Sequence, residues 1–116
     1  MAFARAGGDT ASHSNVASGD TKGEIVYTGW NTSSYYRAAR ILVEVDGTPG
    51  VSDMPGRIRF LLSPDGSATP TEYFRIASTG AFGLSGANYG TTNQVLTSNG
   101  PTSAPTWTTP PVTDLS

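Results

Sequence analysis

Between Arg37 and Asp46 apolar and polar positions alternate strictly. Ala39, Ile41, Val43 and Val45 fall on one side, and Arg40, Leu42, Glu44 and Asp46 on the other. A period of two is that of a β-strand with one face half buried. Upstream, Glu24-Ile25-Val26-Tyr27-Thr28-Gly29-Trp30 is rich in β-branched and aromatic residues and reads as a preceding strand. Downstream, Ile58, Phe60 and Leu62 alternate with Arg57, Arg59 and Leu61, and Phe74 and Ile76 alternate with Tyr73 and Arg75. Four strands in succession predict an antiparallel meander over residues 23–78. Its apolar side carries Ile41, Val43, Val45, Ile58, Phe60, Phe74 and Ile76, and nothing else in the sequence is large enough to cover it. Arg40 and Glu44 share the outward side but stand two strand steps apart, so Glu44 is expected to meet Arg57 or Arg59 across the sheet.

Turn residues separate these strands. Ser18-Gly19-Asp20 leads into the first, Asn31-Thr32-Ser33-Ser34 interrupts the pattern, and Ser63-Pro64-Asp65-Gly66 and Ser78-Thr79-Gly80 close later strands. Thr48-Pro49-Gly50 and Met54-Pro55-Gly56 fit type II turns, with Pro fixing φ and Gly taking positive φ. No stretch of ten residues combines helical spacing with freedom from Gly and Pro. From residue 76 to 113 no charged side chain occurs, yet Phe82, Leu84, Tyr89, Val95, Leu96 and Trp107 punctuate the Gly-, Ser-, Thr- and Asn-rich background. That is more apolar content than a linker needs. Small residues, few charges and recurring apolar positions suit a crowded axis between identical chains. The expected organisation is an N-terminal attachment segment (1–22), the meander (23–78) and an extended uncharged arm (79–116), with Phe82, Leu84, Val95, Leu96 and Trp107 as arm anchors.

Composition sharpens this picture. Leu, Ile, Val and Phe make up 18% of the chain, below the roughly 20% at which a self-sufficient core becomes doubtful. Disorder would normally also bring a high net charge, and here it is −2. A chain that is short, weakly charged and poor in large apolar residues borrows core from its neighbours. The expected fold is therefore all-β, a small antiparallel meander followed by an arm, assembled as an intertwined oligomer, a trimer foremost.

Candidate chemistry is sparse. With no cysteine and one histidine, His13, thiol nucleophiles and His-rich zinc sites drop out. No serine sits in a strained nucleophile turn. Asp9, Asp20, Asp46 and Asp65 each adjoin Gly, where turn duty accounts for them. Asp46, Asp53 and Asp65 lack the spacing of a calcium loop, and Gly80–Gly90 lacks a phosphate-binding fingerprint. No catalytic residue and no cofactor is expected. A pI near 5.1 with scattered Lys and Arg gives no nucleic-acid footprint. No apolar run is long enough for membrane insertion, and Met1–Arg5 lacks the apolar stretch of a secretory signal. Trp30, Tyr35 and Tyr36 around Asn31–Ser34 combine aromatic bodies with polar tips, as in a glycan contact. They equally fit a cross-strand aromatic pair flanking a hairpin.

Several segments resemble modules of bacteriophage tail-fibre and related virion structural proteins. They are GD-x-x-GEIVYTGW, AARILVEVDGTPG, DMPGRIRFLLSPDG, PTEYFRIASTG and GLSGANYGTTNQVLTSNGPTSAPTW, together spanning about residues 18 to 109. The most specific pieces are Val45–Gly50 with Met54–Arg57, and Gln94–Gly100 followed by Ala104–Trp107. The resemblance implies a trimeric, β-structured, extended virion protein with no catalytic residues, contributing to the host-adhesion apparatus. Its partners would be copies of itself, other virion proteins of tail or capsid, and a host surface glycan. A tail fibre or fibre-attachment module is the leading expectation. A head decoration or head-fibre protein bound to the capsid, and a carbohydrate-binding adhesin module, are the alternatives. The chain is expected to be either a small standalone fibre protein or one part of a longer assembly.

Overall fold

The computed structural model describes residues 7–8 and 13–111. They contain nine strands and no helix: β1 (Gly7–Gly8), β2 (His13–Ser14), β3 (Thr21–Asn31), β4 (Ser34–Val45), β5 (Gly56–Leu62), β6 (Thr71–Ile76), β7 (Phe82–Leu84), β8 (Val95–Thr97) and β9 (Thr106–Thr108). Strands β3 to β7 form one antiparallel sheet in sequence order, while β1 pairs with β2 and β8 with β9. The expected all-β meander is present with a fifth strand. Phe82-Gly83-Leu84 joins the sheet beyond residue 78, and at the other end the sheet begins at Thr21. A three-residue strand with Gly at its centre carries too little alternation to be read from sequence. Of the expected attachment segment, residues 1–6 and 9–12 lie outside the described residues.

The connections follow local chemistry, with one correction. Thr32-Ser33 closes the β3–β4 hairpin, Thr32 taking a positive φ of 49°. Gly66 takes φ 82° in the β5–β6 loop, where Ser67 N donates to Pro64 O at 3.0 Å. Ala17–Asp20 and Ala77–Gly80 are closed turns with Gly19 and Gly80 at positive φ. In the β4–β5 loop the two Pro-Gly pairs do not make type II turns, because neither Gly50 nor Gly56 has positive φ. The chain turns instead at Val51-Ser52, with Ser52 at φ 65°. Gly50 N is bound by the Asp53 carboxylate, and Gly56 is drawn into β5 opposite Val45. An Asx-type bond and a ladder pairing outweigh the turn preference of the dipeptide.

Among the described residues, strands of the main sheet pack on their hydrogen-bonded neighbours and on no second layer. Val45 is the one large side chain with no exposure among the described residues. It sits where the 16–20 segment docks on the end of β4, through Gly19 N to Val45 O (2.8 Å) and Val45 N to Asp20 O (2.9 Å). The chain exposes 8261 Å², against about 6000 Å² for a compact monomer of its mass.

Candidate functional site

The register aligns apolar residues into rows across the main sheet. One row runs Ile25, Ile41, Phe60, Phe74, Leu84 through all five strands, and the next runs Gly23, Val43, Ile58, Ile76, Phe82. Phe60 and Phe74 have centroids 5.8 Å apart, and Phe74 meets Phe82 edge-on at 5.3 Å. Ile41, Val43, Ile58, Phe60, Phe74 and Ile76 are therefore brought together on one side, yet each is only half buried. Ile25 and Phe82 are exposed, and Leu84 is buried. Two open apolar hollows, of about 250 and 310 Å³, flank Val43 on this side.

The opposite side is closed by charge. Glu44, only 6% exposed, accepts from Arg57 Nε and Arg59 Nη1, each at 2.7 Å. Arg57 also reaches Asp46 at 3.1 Å, and Arg59 and Arg75 both reach Glu72. The result is one chain of ion pairs, Asp46–Arg57–Glu44–Arg59–Glu72–Arg75, across β4, β5 and β6. Arg59 and Arg75 are direct cross-strand partners. Their repulsion would destabilise the pairing, and Glu72 offsets it by binding both. Arg59 Nε lies 3.2 Å from Glu72 Oε1 but finds no hydrogen-bond geometry, so attraction there is Coulombic. Burial pushes the Glu72 carboxyl up, but hydrogen bonds from Arg75 and Arg59 outweigh it and hold it below the ordinary value. Asp46 is held low chiefly by the Ser78 backbone N–H, at 2.7 Å, with Arg57 assisting. Leu42 and Leu61, set among these arginines in the register, are buried. Long Arg stems cover apolar surface while their heads stay wet.

Beyond the last β4–β5 pair, Ala39 with Leu62, the β3–β4 hairpin continues as a two-stranded ribbon. Trp30 and Tyr35 are cross-strand partners near its tip, stacked edge-on at 5.2 Å. They are 62% and 69% exposed, so their pairing leaves most of both rings in solvent. Tyr36 stands opposite Gly29 and lines a separate open cleft of about 600 Å³ between the ribbon and the 64–68 loop. The three aromatics singled out from the sequence thus divide between two places.

The arm anchors also divide. Leu84 and Phe82 are part of the main sheet. Trp107 is half buried, donating its indole N–H to Asn88 O at 3.1 Å and packing on Gly90, where an added Cβ would lie 2.8 Å from the ring. Val95 and Leu96 remain exposed, although Leu96 is in register with Trp107. Sequence reasoning missed Gly83 and Asn88, and counted Tyr89 among the apolar positions of the arm without making it an anchor. Gly83 is buried, and a Cβ there would lie 2.6 Å from Arg75 Cγ and 3.0 Å from Tyr89 Cε1. The uncharged Gly-rich composition was the available signal for such close approach, but it does not say which glycine is crossed.

Among the described residues, no three His, Asp or Glu side chains gather closely enough to hold a metal ion. Asp46 and Asp53 are engaged with Ser78 and Gly50, and Asp65 lies in the β5–β6 loop. No helix among the described residues is long and apolar enough to cross a membrane. Comparison with protein-family models finds no match, and no curated protein matches the chain at a significant level.

Proposed function

We propose that this chain is a non-catalytic structural module of a bacteriophage virion, foremost of a tail fibre, that functions as a homotrimer. The observation that carries the assembly half of this reading is the pair of apolar rows on a one-layer sheet, half exposed and uncovered by any other part of the described chain. Exposed apolar patches of this extent mark association surfaces. Three such faces turned toward a common axis would bury Ile41, Val43, Ile58, Phe60, Phe74 and Ile76, with side chains of one copy entering the hollows beside Val43 of another. The ionic side would then face water. Exposed Val95 and Leu96 give the arm apolar positions to set against a neighbouring copy. The virion assignment is supported by the segments between residues 18 and 109 that resemble fibre modules, and by the lack of a charged arm.

The test is the mass of the full chain in solution at micromolar concentration. A particle of three chains is expected. A stable, folded monomer overturns the assembly reading. Imaging of particles from the source virus with antibody against the chain is expected to label the tail, and labelling of the head alone overturns the tail-fibre reading.

A further inference from the structure

We propose that the hollow beside Gly23, at the β3 edge of the main sheet, receives the Phe82 ring of a second copy, so that three copies close head to tail through three such contacts. This rests on the trimeric reading above and deepens it, by naming the side chain that enters and the edge it comes from. The row Gly23, Val43, Ile58, Ile76, Phe82 is unequal at its two ends. At the β3 end Gly23 has no side chain, and beside it lies a hollow of about 250 Å³ bounded by Lys22, Gly23, Glu24, Ile25, Ile41 and Val43. At the β7 end stands Phe82, 45% exposed. One end of the row lacks a side chain, and the other carries one that its own sheet does not cover.

The two ends match in size, chemistry and place. A dry apolar cavity of about 150 Å³ holds benzene, so a phenyl ring enters the hollow without crowding. Ile25, Ile41 and Val43 give the ring an apolar wall, and exposed Ile25 is covered along with it. Phe82 is already oriented by its edge-on contact with Phe74, centroids 5.3 Å apart, so docking costs it little freedom. From residue 76 to 113 no charged side chain occurs, so the β7 edge brings no ion to be desolvated. Strands β3 and β7 are the two edges of the five-stranded sheet. Four strand spacings separate them, roughly 19 Å, so no copy fills its own hollow. Repeated from copy to copy, a contact between unlike surfaces closes as a ring, in which each chain makes two. The area is sufficient: an excess exposure of about 2300 Å² over a compact monomer exceeds the roughly 800 Å² per side that each of two standard contacts needs.

The experiment is disulfide trapping in the full chain, which has no cysteine of its own. Gly23→Cys and Phe82→Cys are combined in one variant, oxidised mildly and run on a non-reducing gel, with the solution mass of the parent measured alongside. Gly23 lies in a strand without positive φ, so its backbone accommodates a side chain. A disulfide needs Cα atoms within about 7 Å, which the two positions of one chain do not meet, so every link formed joins two chains. The expected end product, with all thiols consumed, is three linked chains, while each single variant stays unlinked. An end product of two chains, a ladder beyond three, or linkage of either single variant overturns the head-to-tail ring. Absence of links in a particle of trimer mass overturns the contact and leaves the trimeric reading standing, whereas a monomeric parent overturns both. If the double variant does not fold, a size exchange decides. Gly23→Leu fills the hollow and is expected to raise the concentration at which the trimer dissociates about tenfold or more. Adding Phe82→Ala, which makes room for that leucine, is expected to recover most of the loss. A further loss in the combined variant, with no recovery, overturns the contact.

Discussion

Glu44 shows what a single side chain does in this sheet. It is nearly buried and accepts from two guanidinium groups, so removing its charge leaves Arg57 and Arg59 in a partly desolvated place with less to bind. Glu44→Gln is expected to cost about 2 kcal/mol, between the exposed and fully buried limits. The Arg40–Glu24 pair is a useful contrast, since it is the same chemistry at a more exposed position. Glu24→Gln is expected to cost less than about 1 kcal/mol. Thermal unfolding of both variants checks the order, and equal losses would mean that burial is not what distinguishes the pairs. Gly90 is a residue of a different kind. It holds φ 69° and has the Trp107 ring against it. Gly90→Ala therefore combines backbone strain with a clash, worth about 1–3 kcal/mol. The loss is expected to be local: in a Trp30→Phe background the remaining indole emission should shift to the red while the main sheet keeps its unfolding temperature.

At the scale of elements, Asp46 joins two connections that are far apart in sequence. Its carboxylate binds Ser78 N beyond β6 and Arg57 on β5, and its backbone N–H binds Pro55 O at 2.9 Å. Glu72 similarly ties β6 to β5 through Arg59. Both carboxyls are held below their ordinary values in the folded chain. Their contribution is thus complete above about pH 4–4.5, where the unfolded groups are ionised, and is lost as pH falls through the lower folded values. The unfolding temperature is expected to be insensitive to these two groups from pH 7 to 5 and to fall below about pH 4. Asp46→Asn should be less stable at pH 7 and show a shallower acid decline; an identical decline would remove Asp46 from the account. Strands β4, β5 and β6 were legible because Val, Ile and Phe alternate with Arg and Glu there, and even the Glu44–Arg57–Arg59 meeting follows from cross-strand geometry. What was not legible depends on partners distant in sequence. The capture of Gly56 by Val45, the close approach at Gly83 and the pairing of Trp30 with Tyr35 rather than Tyr36 all depend on register. A one-residue bulge, such as the register shift between Tyr27 and Thr28, resets it without a marked local signal.

For the whole molecule, the two sides of the sheet invert a simple expectation. The charged side is the closed one, with Leu42 and Leu61 buried among arginines, while the apolar rows stay half open. In the proposed trimer, assembly would cover these rows. The excess exposure of about 2300 Å² over a compact monomer is within the range of an obligate interface. If folding and trimerisation are one event, stability depends on protein concentration. Three chains combine into one particle, so each tenfold rise in concentration adds about 2.7 kcal/mol per trimer, or about 0.9 per chain. With an unfolding entropy typical for this length, the midpoint should rise by about 4 °C per decade. Phe74→Lys, which places a charge within the first apolar row, should abolish this dependence by abolishing the trimer. A midpoint that does not move between 1 and 100 µM, roughly the span that would shift an obligate oligomer measurably, would show that the sheet is stable with its apolar side in water.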